Sequence, residues 1–124
     1  MMKTILNTNK YDIITEKEHK KMLSTRELIK KRIKDTMDEL LKANTFGRLE
    51  SFIMNEGNEI TYVRELLGYW KGCNIYIATG DVNICINTVD MRIEGYYNNE
   101  YQAEEIKDFD ILNRIDNIVK LHME

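Results

Sequence analysis

Residues able to make and break bonds are few in this 124-residue chain, and their spacing is poor for it. Cys73 and Cys85 are the only cysteines, and His19 and His122 the only histidines. A thiol nucleophile needs a histidine base within hydrogen-bond reach, and both histidines are remote in sequence from either cysteine. A metal site needs paired ligands at short spacing, and neither histidine has such a second ligand. The segment "ATGD" (78–81) has the small residues of a phosphate loop. Such a loop leads into a helix whose amides hold the anion. Here an alternating strand pattern follows at once, so Gly80-Asp81 reads as a hairpin turn. The adjacent acids Glu104 and Glu105 precede a helix and read as solvated, with nothing beyond their charge to suggest glycosidase carboxylates. The chain is therefore expected to be non-enzymatic, with no metal and no cofactor.

Two cysteines are too few for a disulfide framework, and free thiols fit a reducing compartment. No apolar run approaches the roughly 18–20 residues of a membrane span. The opening "MMKTILNTNKYDIITEKEHKK" lacks the apolar core and small-residue cleavage site of a secretory signal. A cytoplasmic protein with no membrane partner is expected. The net charge of −3 conceals an asymmetry. Residues 1–48 carry 12 Lys and Arg against 7 Asp and Glu; residues 49–124 carry 6 against 14. A basic arm and an acidic body of this kind suit a charged partner, or neutralise one another.

The elements that would position any site follow from periodicity. Residues 1–124 read as one domain, with 1–14 loosely docked, a helical part over 15–70, a sheet over 73–103 and a closing helix over 108–122. Thr15-x-x-Glu18 and Ser24-x-x-Glu27 are both capping boxes able to start the first helix. Ile29, Ile33, Met37, Leu40 and Leu41 then recur at helical spacing to near Asn44. Thr45 caps a shorter helix carrying Phe46, Leu49, Phe52 and Ile53, with Gly57 as its stop. "NEITYVRELLGYWKG" suits a helix through Ile60, Val63, Leu66, Leu67 and Trp70, although "ITYV" alone would suit a strand. After Gly72 the period changes to two. Asn74–Thr79, Val82–Thr88 and Met91–Tyr97 read as strands, with a fourth short one near Tyr101–Ala103. Asp108 caps the last helix. The expected fold is α+β: N-terminal helices, a three- or four-stranded antiparallel meander, and a C-terminal helix packed on one face.

Two-residue turns at Gly80-Asp81 and Val89-Asp90 fix a register in which paired residue numbers sum to 161 and then 179. Ile75, Ile86 and Ile93 then form one row, and Ile77, Ile84 and Gly95 the next, so every isoleucine falls on one face. The other face carries Tyr76, Asn83, Asn87, Arg92, Glu94 and Tyr96. It is either an ordinary wet sheet face or a partner-binding platform, since Tyr and Arg are enriched at interface hot spots. Its register sets Cys73 and Cys85 too far apart for a disulfide.

A second candidate surface is the basic run "IKKRIKD", in which Lys30, Lys31, Arg32 and Lys34 are placed to reach phosphates. Asp35, Asp38 and Glu39 interrupt it within a turn, which favours a solvated helix face. The apolar stripe of this helix suits either packing on the sheet or self-association as a homodimer.

The stretch "ELLGYWKGCNIYIATGDVNICINTVDMRIEGYYNNE", Glu65 to Glu100, resembles a pattern in small proteins of phages and mobile elements from low-GC Gram-positive bacteria. In that pattern a short helix ends in a glycine-containing turn. An "N-I-Y-I" strand, a hairpin with a threonine, an "E-G-Y" strand and a closing helix follow. Such accessory proteins include inhibitors of host defence, anti-CRISPR proteins among them. The resemblance implies a lineage and carries over no functional residue.

The expected function is a phage or mobile-element anti-defence protein that binds and blocks a host protein or ribonucleoprotein complex, an RNA-guided nuclease foremost. Acidic side chains standing in for phosphates would assist, with Glu94, Glu100, Glu104, Glu105, Asp108 and Asp110 as candidates. The alternatives are a nucleic-acid-binding regulator acting through the basic helix, and a sponge for a signalling nucleotide.

Overall fold

The computed structural model describes residues 23–123. In chain order the elements are α1 (Thr25–Lys42), α2 (Phe46–Ile53), β1 (Glu59–Arg64), β2 (Trp70–Ile77), β3 (Asn83–Asn87), β4 (Arg92–Tyr97), β5 (Glu100–Glu105) and α3 (Phe109–Met123). The strands form one antiparallel sheet in the order β1-β2-β3-β4-β5. The class is α+β, as the change of period indicates. The loosely docked segment expected over 1–14 and the Thr15 capping box lie outside the described residues.

Ser24 starts α1 through the expected capping box. Its hydroxyl accepts from Glu27 N–H at 3.1 Å, and its own N–H donates to Glu27 Oε1 at 3.3 Å. Two first-turn amides that lack helical partners are thereby satisfied. Thr45 caps α2 by accepting from Arg48 N–H at 3.2 Å. Asp108 caps α3 by accepting from Ile111 N–H at 3.2 Å. Gly57 is not the stop of α2. That helix closes at Ile53, with Met54 N–H on Glu50 O, and Gly57 N–H instead donates to the Asn55 side chain.

The largest correction concerns residues 59–70, which are not helical. Glu59–Arg64 is an edge strand, and Trp70 already belongs to β2. The β-branched run Ile60, Thr61 and Val63 finds a cross-strand partner for each residue on β2, which outweighs a helical stripe with nothing to pack on. Leu66 and Leu67, the residues that made the stripe look helical, sit at the hairpin tip and are 102% and 82% exposed. Gly68, with φ +87°, closes that tip, and Arg64 Nη1 donates to its carbonyl at 3.0 Å. A left-handed φ is free for glycine alone. The sheet has five strands rather than three or four, because β1 joins it and β5 runs the full length of β4.

The register is the expected one. Ile75 faces Ile86, which faces Ile93; Ile77 faces Ile84, which faces Gly95. This face is the core. A Cβ on Gly95 would lie 2.5 Å from Ile29 Cγ2 and 3.3 Å from Ile33 Cδ1, so the missing side chain lets α1 press onto β4. On the same face α3 is tied to the sheet by Asp116, whose Oδ1 accepts from Thr88 Oγ1 at 2.9 Å, and by Lys120, 5.3 Å from the centre of the Trp70 ring. Leu49 and Ile53 of α2 complete the cluster, and Glu50 of α2 meets His122 of α3 at 2.8 Å. Most of the stripe of α1 packs on the sheet: Ile29, Ile33, Met37 and Leu40 are buried within this chain, while Leu41 is half-exposed. No described helix is long and apolar enough to cross a membrane.

Candidate binding face of the sheet

All three helices lie on the isoleucine face, and no described element covers the other. Pairing sets three rows across it. The first is Thr61, Asn74, Asn87, Arg92 and Glu105; the second is Glu59, Tyr76, Cys85, Glu94 and Ala103; the third holds Asn83, Tyr96 and Tyr101. The structure therefore brings together all six residues expected here, Tyr76, Asn83, Asn87, Arg92, Glu94 and Tyr96. Glu59, Thr61 and Tyr101 join them. Sequence periodicity alone does not place these three here, because residues 59–64 also fit a helical spacing and β5 reads as only a short strand. The alternation in "EITYVR" and in "EYQAEE" is the signal that would have found them.

Not everything on this face points into water. Glu94 is 6% exposed and Cys85 3%. Both stand mid-sheet, where side chains on neighbouring strands lean over them. Glu94 is the hub. Arg92 Nε donates to its Oε2 at 2.5 Å, Tyr101 Oη at 3.3 Å and Asn87 Nδ2 at 3.4 Å, while Tyr96 Oη reaches Oε1 at 3.5 Å. Asn87 also donates to Asp90 Oδ2 and accepts from Asp90 N–H, which ties the hub to the β3–β4 turn. The Tyr96 and Tyr101 rings lean on each other with centres 4.9 Å apart. Burial, with Glu94 beside them, raises the pKa of both phenols, and the hydrogen bond to Glu94 raises that of Arg92. The result is a charged pair roofed by two tyrosines, with its donors and acceptors already matched.

The thiols are buried and held protonated. Burial pushes Cys73 and Cys85 up to about 12, and for Cys85 the nearby Glu94 adds to the effect. A thiolate is the reactive form, and neither sulfur meets a histidine base: Cys73 Sγ lies 3.6 Å from Asp116, and Cys85 Sγ 3.7 Å from Asn74 Oδ1. Both are free cysteines. Among the described residues no group of three or more His, Cys, Asp and Glu is arranged to hold a metal.

The other expected sites are scattered. The guanidinium of Arg32 is engaged within the chain by Asp81 in the β2–β3 turn: Nη2 lies 2.7 Å and Nε 3.1 Å from Oδ2. That pairing lowers Asp81 to about 2. Lys31 pairs with Asp35 at 3.6 Å, while Lys30 and Lys34 flank Gln102 and Glu104 of β5. The basic run is thus divided, part of it neutralised. Of the acids, Asp108 is a helix cap and Asp110 pairs with Arg114 at 3.0 Å. Glu100 and Glu104 belong to the helix-bearing side of β5, and Glu105 alone of β5's acids shares the uncovered face.

Comparison with known proteins finds no matching family model, no matching curated protein and no matching solved structure, so the assignment of a role rests on this face.

Proposed function

We propose that this chain is a non-enzymatic binding protein whose uncovered sheet face docks on a larger protein or ribonucleoprotein complex and blocks it. The observation that carries the reading is the hub of that face: a buried Glu94 paired with a half-exposed Arg92, on a face that also carries half-exposed Tyr76, Tyr96 and Tyr101. Interfaces concentrate their energy in such aromatic and arginine anchors. Side chains held in place before binding lose less freedom on contact. Four strand spacings of about 4.8 Å and strands of about 17–20 Å give a face on the order of 350 Å² in projection. A standard interface takes about 800 Å² per partner, so the partner also reaches the rims, where Glu59 and Glu105 lie.

The partner class we propose is a bacterial defence complex, an RNA-guided nuclease, as the sequence resemblance implies. Glu59 and Glu105 would meet basic residues of such a complex. Glu94, engaged by Arg92, would not act as a phosphate mimic. Nucleic acid binding through α1 is not favoured, because Arg32 and Lys31 are paired within the chain. The test is a panel of purified RNA-guided nucleases, each incubated with the full chain and assayed for target cleavage and for co-elution. Inhibition of at least one member with a stoichiometric complex is the expected result. Undiminished cleavage with no complex across the panel would reject this partner class.

A further inference from the structure

On the proposed face, one place has a definable ligand chemistry. Tyr76 of β2 and Tyr96 of β4 stand on strands two apart with β3 between them, set diagonally by one row: Tyr76 is opposite Cys85, and Tyr96 is opposite Asn83. The slot they flank has a volume of about 380 Å³ and is also lined by Glu59, Asn83, the buried Cys85 and the edges of Ile77 and Ile84. Tyr96 is pinned by its contact with the Tyr101 ring and its hydroxyl on Glu94. The side chains of Tyr76 and Glu59 make no hydrogen bond or ion pair among the described residues, and both are exposed. Cys85 is neutral, a buried thiol rather than a thiolate.

Two aromatic faces, one uncommitted carboxylate and a neutral thiol suit a flat cation. Aromatic rings attract cations through their quadrupoles, and guanidinium stacks on them as ammonium does not. An unpaired carboxylate supplies the counter-charge and two acceptors in the plane a guanidinium presents. An anion would be repelled by Glu59 and would find no cation in the slot, since Arg92 is bound to Glu94. A purely apolar side chain would leave Glu59 to be desolvated without compensation. We infer that this slot receives an arginine side chain of the protein partner, held between Tyr76 and Tyr96 and paired with Glu59.

The inference rests on the docking role proposed for the face, and it can be tested without the partner. The probe is a pentapeptide, Gly-Gly-Arg-Gly-Gly, titrated into the full-length 15N-labelled chain. The same peptide with citrulline in place of arginine is the control, having nearly the same shape and no charge. The arginine peptide is expected to shift the amides of Tyr76, Asn83, Cys85 and Tyr96 with a Kd on the order of millimolar, and citrulline to leave them in place. Glu59→Gln should weaken the shift about fivefold, and Tyr76→Ala should abolish it. Both residues are exposed, and an unchanged amide spectrum elsewhere confirms that the variants fold. Equal shifts with citrulline, no shift with arginine, or binding unaffected by Glu59→Gln would each overturn the slot. The docking role would fail separately, by loss of no partner binding when Arg92 and Tyr101 are replaced.

Discussion

Arg92 and Glu94 sit two residues apart on one strand, on the same face, with Arg92 Nε 2.5 Å from Glu94 Oε2. Neighbours i and i+2 on a strand point the same way. A long guanidinium can therefore fold back over a short carboxylate and leave its own outer edge to the surface. Two tyrosines and an asparagine complete the carboxylate's shell, so a buried charge in the middle of an uncovered sheet face has its hydrogen bonds met.

Glu94→Ala removes the acceptor shared by those donors. Hydrogen bonds to charged groups contribute about 1.5–3 kcal/mol each at most, and partial replacement by water reduces the sum here. Urea denaturation should show a loss of about 1–3 kcal/mol, with Glu94→Gln losing less because it keeps an acceptor oxygen.

Gly95→Ala tests how α1 is seated. The added methyl group would lie 2.5 Å from Ile29 Cγ2 and 3.2 Å from Ile84 Cδ1, so the helix must shift. Overpacking of this kind costs about 1–3 kcal/mol. Ile29→Ala removes that Cγ2, so in a double-mutant cycle Gly95→Ala should cost less in the Ile29→Ala background than in the wild type if the clash is the cause.

Arg32 and Asp81 tie α1 to the β2–β3 turn, and the pair titrates. Asp81 is lowered from 3.8 to about 2 by the Arg32 guanidinium, with Val82 N–H assisting. Because its folded pKa is depressed, this contribution is complete above about pH 4 and is lost as pH falls through about 2. Both side chains are about a third exposed, so solvent screening holds it to about 1 kcal/mol or less. Arg32→Ala should lower stability at pH 7 by that amount and by clearly less at pH 2, where the Asp81 carboxyl is about half protonated.

Cys73 and Cys85 should resist thiol reagents. With both pKa values up to about 12 through burial, native protein at pH 8 should react with a chromogenic disulfide far more slowly than protein in denaturant. Rapid reaction of either thiol in the native state would contradict the described packing.

Legibility in sequence varied with the strength of the local pattern. The isoleucine alternation from Ile75 to Ile93 fixed faces and register together, because a slip of one residue would have placed isoleucines in water. Ser24, Thr45 and Asp108 were readable as caps because capping is local chemistry. Residues 59–70 were not readable. Leu66 and Leu67 have no core role, yet they complete a helical spacing, and only the partner strand β2 decides in favour of β1. The hub at Glu94 was half legible: its face followed from the register, but its burial depends on Tyr101, on a strand only partly recognised. The pairing of Arg32 with Asp81, 49 residues apart, left no trace in local sequence.

The central claim is that the uncovered face, rather than the basic helix, binds the partner. The most direct measurement compares three chains against a nuclease complex that the wild type inhibits. One carries Tyr96→Ala with Arg92→Ala, one carries Lys30→Ala with Lys34→Ala, and the third is unaltered. The face variant should bind about a hundredfold more weakly, in line with the loss of two hot-spot residues, while the helix variant stays within about threefold of wild type. Full binding by the face variant, with loss in the helix variant, would contradict the account.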